Sequence, residues 1–228
     1  MTTRRVNLNT ESMDNYLKAI FALGGQEEER VTSNQLAERL GVTPASITNM
    51  LQKLASSSPP LVEYERHRGV RLSAPGRRRA LEVLRHHRLI ETFLYEVLEY
   101  PLEEVHDEAE RLEHFISERF EERIAAKLGH PKFDPHGHCI PAMDGKMPRQ
   151  VSKPLTDIEA DGKFLVDSVS DQDAPLLKQL KAHGITPGVR LQVSTTSQEE
   201  FVLRAGSTSK ALRLSRALAG AVRVCSAD

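Results

Sequence analysis

The order of helix, tight glycine turn, helix and hairpin in the first third of the chain constrains the fold more than any other feature. MDNYLKAIFALGG places Tyr16, Leu17, Ile20, Phe21 and Leu23 at helical spacing, with Thr10 or Ser12 as candidate caps and Gly24-Gly25 as the stop. After the acidic turn QEEER, SNQLAERL reads as a second short helix with Ser33 as its N-cap. GVTP breaks it. Pro44, which has no N–H to leave unbonded, fits the first turn of a third helix, PASITNMLQKLA, whose Ile47, Met50, Leu51 and Leu54 share an apolar side. LVEYERHRGVRLS then alternates apolar and polar residues and bends at His67-Arg68-Gly69, as a two-stranded hairpin does. This is the order of a winged helix-turn-helix.

APGRRRALEVLRHHRLIETFLYEVL predicts a long helix with Pro75 in its first turn and Tyr100-Pro101 at its end. LEEVHDEAERLEHFISERFEERIAAKL predicts the next, and the pair reads as two antiparallel helices suited to a core or a dimer interface. GHPKFDPHGHCIPAMDGKMP is rich in proline and glycine and reads as irregular. Beyond it FLVDSVS, VRLQVST, EEFVLRAG and LRLSRALAGAVRVCS are β-rich, ITPG makes a turn, and APLLKQLKAHG is a short helix. The expected architecture is mainly α with β: a winged helix over 1–74, a helical domain over 75–150, and a small β-barrel-like domain over 151–228. No apolar run reaches the roughly 18 residues of a membrane span, and MTTRRVNLNTES lacks the apolar core of an export signal. A cytoplasmic protein is therefore expected. Cys139 and Cys225 do not make a disulfide framework.

VHDEAERLEHF carries the chemistry. If it is one helix, His106, Glu110, Glu113 and His114 fall within about a third of its circumference, beside the apolar stripe of Leu102, Val105, Ala109, Leu112 and Ile116. Carboxylates so close to a buried side need compensation. On the preceding helix His87 and Glu91 repeat the i, i+4 spacing. Imidazole with carboxylate suits first-row divalent ions, and a carboxylate-rich set leans toward Mn²⁺ or Fe²⁺; two cysteines argue against structural zinc. Charge is unevenly placed, with eight arginines and one acid from Arg66 to Arg88, then twelve acids and three arginines from Glu91 to Arg123. Two surfaces, one for an anion and one for a cation, account for this; so do two solvated helix faces.

For DNA, Thr43, Pro44, Ala45, Ser46 and Thr48 at the start of the third helix would sit at the groove, with Asn49, Gln52 and Lys53 further along. Arg66 and Arg68 on the wing suit phosphates or a minor groove, while Arg77-Arg78-Arg79 reads as a solvated helix start. LEH is not the H-E-x-x-H arrangement, and neither a phosphate loop nor a G-x-S-x-G elbow is present, so no enzyme is expected.

These residues resemble the diphtheria toxin repressor family of metal-dependent regulators, including its manganese-transport-regulator branch. The resemblance lies in SMDNYLKAI, PASITNMLQKL, RGVRLSAPGRRRA, RHHRLIETFL and VHDEAERLEH, and covers most of residues 12 to 116. It implies a homodimer that binds a palindromic double-stranded operator when a divalent metal is bound, with the last domain SH3-like. It also implies a first metal site of Glu110, Glu113 and His114. Glu110 stands where iron-responsive members have Cys and manganese-responsive members have Glu, which favours Mn²⁺ over Fe²⁺. The N-terminal ligand, usually Met or Asp, falls on Asn15, with Asp14 beside it. A second implied site has His87, Glu91 and His106, completed by Asp134 and His136 from FDPHGHCIP and by Asp171, with Asp173 close behind. Metal would then tie together elements that otherwise move independently and favour the DNA-competent state. The competing readings are a winged-helix regulator with a non-metal effector, and a metal-storage or metallo-enzyme module.

Overall fold

The computed structural model describes residues 8–25, 29–148, 151–159, 161–196, 200–206 and 211–227. Two compact units emerge, and the chain passes between them more than once: one comprises residues 1–86, 113–117 and 141–147, the other 87–112, 118–140 and 148–228.

The first unit is a winged helix. Helices α1 (Leu8–Gly24), α2 (Ser33–Leu40) and α3 (Pro44–Ala55) precede strands β1 (Val62–Glu65) and β2 (Gly69–Leu72), which pair antiparallel from Val62 opposite Leu72 to Glu65 opposite Gly69. Tyr16, Leu17, Ile20 and Phe21 of α1 pack with Leu36, Ile47, Leu51, Leu54, Val62 and Val70 in one apolar core. α1 is described from Leu8 onward, so Thr10 and Ser12 lie inside the helix and are not its caps. Thr32, not Ser33, caps α2: its side chain accepts from the Gln35 N–H while Gln35 reaches back to the Thr32 N–H. A Cβ on Gly69 would stand 2.5 Å from the Val31 carbonyl oxygen at φ +88°, so only glycine lets the wing meet the chain there.

α4 (Ala74–Glu96) runs through both units and ends four residues before the expected Tyr100-Pro101 stop. The next predicted helix is two: α5 (Val105–Leu112) and α6 (Glu118–Lys127), with Glu113–Ser117 between them. In the second unit Leu89, Ile124, Ala125 and Ile140 make a small core. Its larger core belongs to an antiparallel sheet of β3 (Lys153–Pro154), β4 (Gly162–Val169), β5 (Arg190–Thr196), β6 (Glu200–Ala205), β7 (Leu212–Ser215) and β8 (Val222–Ser226), in the order β3-β8-β4-β5-β6-β7. Register shifts at Val166/Ser168 and Val193/Thr195 bend the sheet. α7 (Ala174–Ala182) is the expected short helix, but α8 (Arg216–Gly220) interrupts LRLSRALAGAVRVCS, a β-rich stretch in which the sequence indicates no helix. Ser215 caps α8 through the Leu218 N–H, and so decides it locally. Among the described residues no helix is long and apolar enough to cross a membrane.

Candidate functional site

Two sets of titratable side chains are buried, one in each unit. In the first, Asp14 on α1 is 2% exposed although carboxylates rarely enter a core. Arg79 of α4 compensates it through two parallel bonds, Nε to Oδ1 at 2.8 Å and Nη2 to Oδ2 at 2.7 Å. Burial pushes the Asp14 carboxyl up, and His114 with Arg79 more than reverses this, leaving it below its ordinary value. The His114 side chain is 2% exposed: Nδ1 lies 3.5 Å from Asp14 Oδ2 and Nε2 lies 3.2 Å from Glu113 Oε1. Neither contact has hydrogen-bond geometry, and both ring nitrogens are unbonded. Glu113 receives both of its carboxylate oxygens' bonds from Lys18 Nζ, at 2.7 and 2.8 Å. Neighbouring Asn15 has its Oδ1 buried without a hydrogen-bond partner.

This arrangement corrects the reading of VHDEAERLEHF as a single helical face. α5 stops at Leu112, and Glu113 and His114 belong to the turn after it. Glu110 stays on α5, with Oε1 3.8 Å from His87 Nδ1. Lys18 was not among the sequence candidates. Arg79, read as part of a solvated helix start with Arg77 and Arg78, instead pairs with buried Asp14, while Arg77 lies over the Phe21 ring. Lys18 and Arg79 each sit on a helix far away in sequence, and only i, i+4 spacing of Asp14 and Lys18 on α1 hinted at a shared face.

The second set gathers four segments. His87 and Glu91 project from consecutive turns of α4, His106 from α5, Asp134, His136 and His138 from the irregular loop, and Asp171 from the β4–α7 connection. Glu91 is fully buried and central. Its Oε1 lies 2.9 Å from His87 Nε2, 3.2 Å from His106 Nδ1 and 3.8 Å from His136 Nδ1. His87 Nε2 and His106 Nδ1 are 3.1 Å apart. His106 Nδ1 is 3.7 Å from Asp171 Oδ2. Gln172, absent from the sequence candidates, reaches His106 Nε2 at 3.3 Å and bonds Asp171 Oδ1 at 2.7 Å.

The loop is laid against β4 by a specific device. Gly137 has φ +89°, and a Cβ there would stand 2.2 Å from the Asp167 carbonyl oxygen. The Val169 N–H bonds the His136 carbonyl at 2.9 Å. Asp134 Oδ1 accepts the backbone N–H groups of His136 and His138, both at 2.9 Å, leaving Oδ2 buried and unbonded with Arg88 Nε at 3.5 Å. His136 Nε2 lies 3.2 Å from the Leu102 carbonyl, an acceptor only. That nitrogen therefore carries the proton, and Nδ1 turns its lone pair toward Glu91 when the ring is neutral.

These donors fit a divalent ion. Ligand atoms around an ion with bonds of about 2.1 Å lie about 3.0–3.4 Å apart, near the separations here. Glu91 Oε2, Asp134 Oδ2, His136 Nδ1 and His138 Nδ1 are buried without hydrogen bonds, which leaves them open to an ion. Burial raises the Glu91 carboxyl, but its imidazole neighbours, His87 first, hold it well below the usual range. Burial lowers His136, and Glu91 with Asp134 and Asp171 overrides this, lifting it to about 9. The Asp134 carboxylate similarly overrides burial to raise His138. His138 was missed in the sequence; its signal is its place two residues after His136 in the same loop.

The expected DNA face is on the surface of the first unit. Thr43, Pro44, Ala45, Ser46, Asn49, Gln52 and Lys53 of α3 and its cap are exposed, as are Arg66 and Arg68 at the wing tip; Thr48 is half-buried. Three hydroxyls already have local partners: Thr43 Oγ1 caps α3 through the Ser46 N–H at 3.3 Å and shares a hydrogen bond with Ser46 Oγ at 3.1 Å, and Thr48 Oγ1 bonds the Pro44 carbonyl at 3.1 Å. Arg68 Nη1 is 3.3 Å from Glu65 Oε2 at the exposed hairpin end.

Residues 9–70 match a family described as iron dependent repressor, N-terminal DNA binding domain. Residues 73–142 match iron dependent repressor, metal binding and dimerisation domain, and residues 153–225 match the FeoA domain. The iron-dependent repressor IdeR of Mycobacterium leprae (strain TN) is 32% identical over 208 residues, covering 85% of this chain and 88% of that protein. Among solved structures, a manganese-dependent transcriptional repressor in complex with manganese superposes with TM-score 0.87 and 36% identity, covering 94% of this chain and 100% of that one. ScaR with bound Zn²⁺ superposes with TM-score 0.79 and 29% identity, covering 94% and 99%.

Proposed function

The chain belongs to the iron-dependent repressor family, and from that premise we propose that it is a homodimeric repressor of metal-uptake genes, gripping a palindromic operator only when a divalent ion, Mn²⁺ ahead of Fe²⁺, is bound. In this reading residues 1–74 read DNA, 75–150 dimerise and hold metal, and 151–228 form the SH3-like domain that lends Asp171. One observation carries it: the chain that exposes a recognition helix also buries both ring nitrogens of His114, Nδ1 of His136 and His138, and one oxygen each of Glu91 and Asp134 without hydrogen bonds. Buried polar atoms without a hydrogen bond are costly, and a bound cation removes the cost.

Glu113, His114 and Asp14 or Asn15, with Glu110 on α5, hold the first ion; His87, Glu91, His106, Asp134, His136 and Asp171 serve the second centre. A bound ion supplies positive charge shared by donors from separate segments. Asp14 lies on α1, whose apolar side packs with Leu36 of α2 and Ile47 and Leu51 of α3. Pinning Asp14 to His114 therefore restrains the helix on which the recognition helix rests. Two such helices in a dimer meet half-sites about one DNA turn apart. A carboxylate at Glu110 favours the harder Mn²⁺.

The test is fluorescence anisotropy on a labelled duplex selected from a random pool, with chelated protein and then with Mn²⁺, anaerobic Fe²⁺ or Zn²⁺. Tight binding only with metal, lost in His114→Ala while the dimer persists, is expected. Equal binding with and without metal would sink the reading and leave a regulator with another effector.

A further inference from the structure

Three arginines and two acids crowd the nine residues of the wing from Glu63 to Arg71, and the two acids are placed differently. Glu63 faces Arg71 directly across the hairpin, where Arg71 Nε donates to Glu63 Oε2 at 2.8 Å. Glu65 instead joins three segments. Its Oε1 accepts from Arg30 Nη2, and its Oε2 accepts from Arg68 Nη1 at 3.3 Å in the wing turn. Arg30 belongs to the chain entering α2. It also donates from Nη1 to the Gly69 carbonyl at 3.2 Å, beside the bridge in which Val31 and Val70 exchange backbone bonds of 2.8 and 2.9 Å. One oxygen of Glu65 is therefore anchored, and the other holds a cation that stands in solvent. The Arg68 side chain is 78% exposed, against 28% for Arg30.

Resting on the reading of the wing as a DNA contact, we propose that Glu65 is a positioning residue that withholds Arg68 from phosphate on any duplex the recognition helix does not engage, and so favours the operator over bulk DNA. An exposed ion pair is weak enough to exchange. A phosphate accepts from guanidinium as a carboxylate does, with most strength when two N–H groups meet two oxygens. When Arg68 leaves, Arg30 still compensates Glu65. On the operator, base contacts from α3 fix the register of the wing, and Arg68 meets a phosphate squarely enough to leave the carboxylate. On other DNA the register is not fixed, affinity comes from phosphate contacts alone, and a paired Arg68 adds little to it. Discrimination is a difference between two affinities, and Glu65 lowers the unwanted one.

The experiment titrates the full-length chain, saturated with Mn²⁺, into a labelled operator duplex selected from a random pool and into a scrambled duplex of equal length, across a salt series. In Glu65→Gln the scrambled duplex should bind about fivefold tighter, with log K against log salt steeper by about 0.9, while the operator gains less than about twofold. Glu63→Gln adds the same charge without releasing Arg68, and should leave the ratio of the two affinities unchanged. Adding Arg68→Gln to Glu65→Gln should erase the gain. Equal gains on both duplexes, the same loss of discrimination in Glu63→Gln, or a gain that survives Arg68→Gln overturns the proposal. If Glu65→Gln does not fold, Arg68→Gln alone decides: a loss confined to the operator supports the proposal, and an equal loss on both duplexes overturns it. An unsubstituted chain that binds neither duplex overturns the repressor reading instead, so the two failures are told apart.

Discussion

Lys18 Nζ stands 2.7 and 2.8 Å from the two carboxylate oxygens of Glu113, so a lysine neutralises this buried acid at the place proposed for a metal ion. The ion must displace or share that ammonium, and the lysine therefore raises the concentration at which the first centre fills. Lys18→Met removes the competitor while keeping its apolar stem. Manganese affinity of the first centre is expected to rise by roughly tenfold, about 1.4 kcal/mol. The metal-free protein should melt earlier, because Glu113 is left without its counter-charge. Calorimetric titration and thermal melts read both effects; unchanged or weaker affinity in a folded variant rules the competition out.

Gly137 sets the height of the His136–His138 loop above β4. An alanine there meets the Asp167 carbonyl at 2.2 Å and must also adopt φ +89°. Gly137→Ala is expected to lower metal affinity of the second cluster by at least about tenfold, as loss of ligand support does. Binding at the first centre should stay unchanged. Equal loss at both would mean global unfolding, and no loss would mean that the loop does not need this approach.

Metal uptake by the second cluster should release protons. An ion needs neutral imidazole, whereas metal-free His136 keeps its proton until about pH 9 because Glu91, Asp134 and Asp171 outweigh its burial. Protons and metal compete below that value, so affinity rises with pH. The expected slope is roughly tenfold per pH unit for each displaced proton between about pH 6 and 8. Calorimetry in buffers of different ionisation enthalpy counts the protons. A flat profile with no proton release contradicts the assignment of His136 as a ligand.

On the DNA side, charge and base readout should separate. Arg66→Ala at the exposed wing tip is expected to reduce the slope of log K against log salt by about 0.9, with sequence preference intact. Gln52→Ala, on the exposed side of α3, should instead cost about 1–3 kcal/mol on the preferred operator and little elsewhere. If both substitutions weaken all duplexes equally, α3 is not the reading element.

The winged helix is legible in the sequence because its signals are local. Pro44 at the first turn of α3 and the alternation of β1 and β2 each act within a few residues. His87 and Glu91 also follow from spacing, since both lie within the uninterrupted helix α4. The same reasoning fails where the helix stops. Carrying the 3.6-residue period past Leu112 put Glu113 and His114 on a helical face that does not exist.

The sequence alone therefore determined most element types and the i, i+4 placement of His87 and Glu91, because helix period and turn chemistry are properties of neighbouring residues. Tertiary structure alone decided which donors meet and what neutralises them. Asp171 comes within 3.6 Å of His138, and Arg79 pairs with Asp14, across long stretches of chain. Those distances are set by core packing and by backbone approaches such as the one at Gly137. Coulombic compensation depends on separation in space, about which spacing along the chain carries no information.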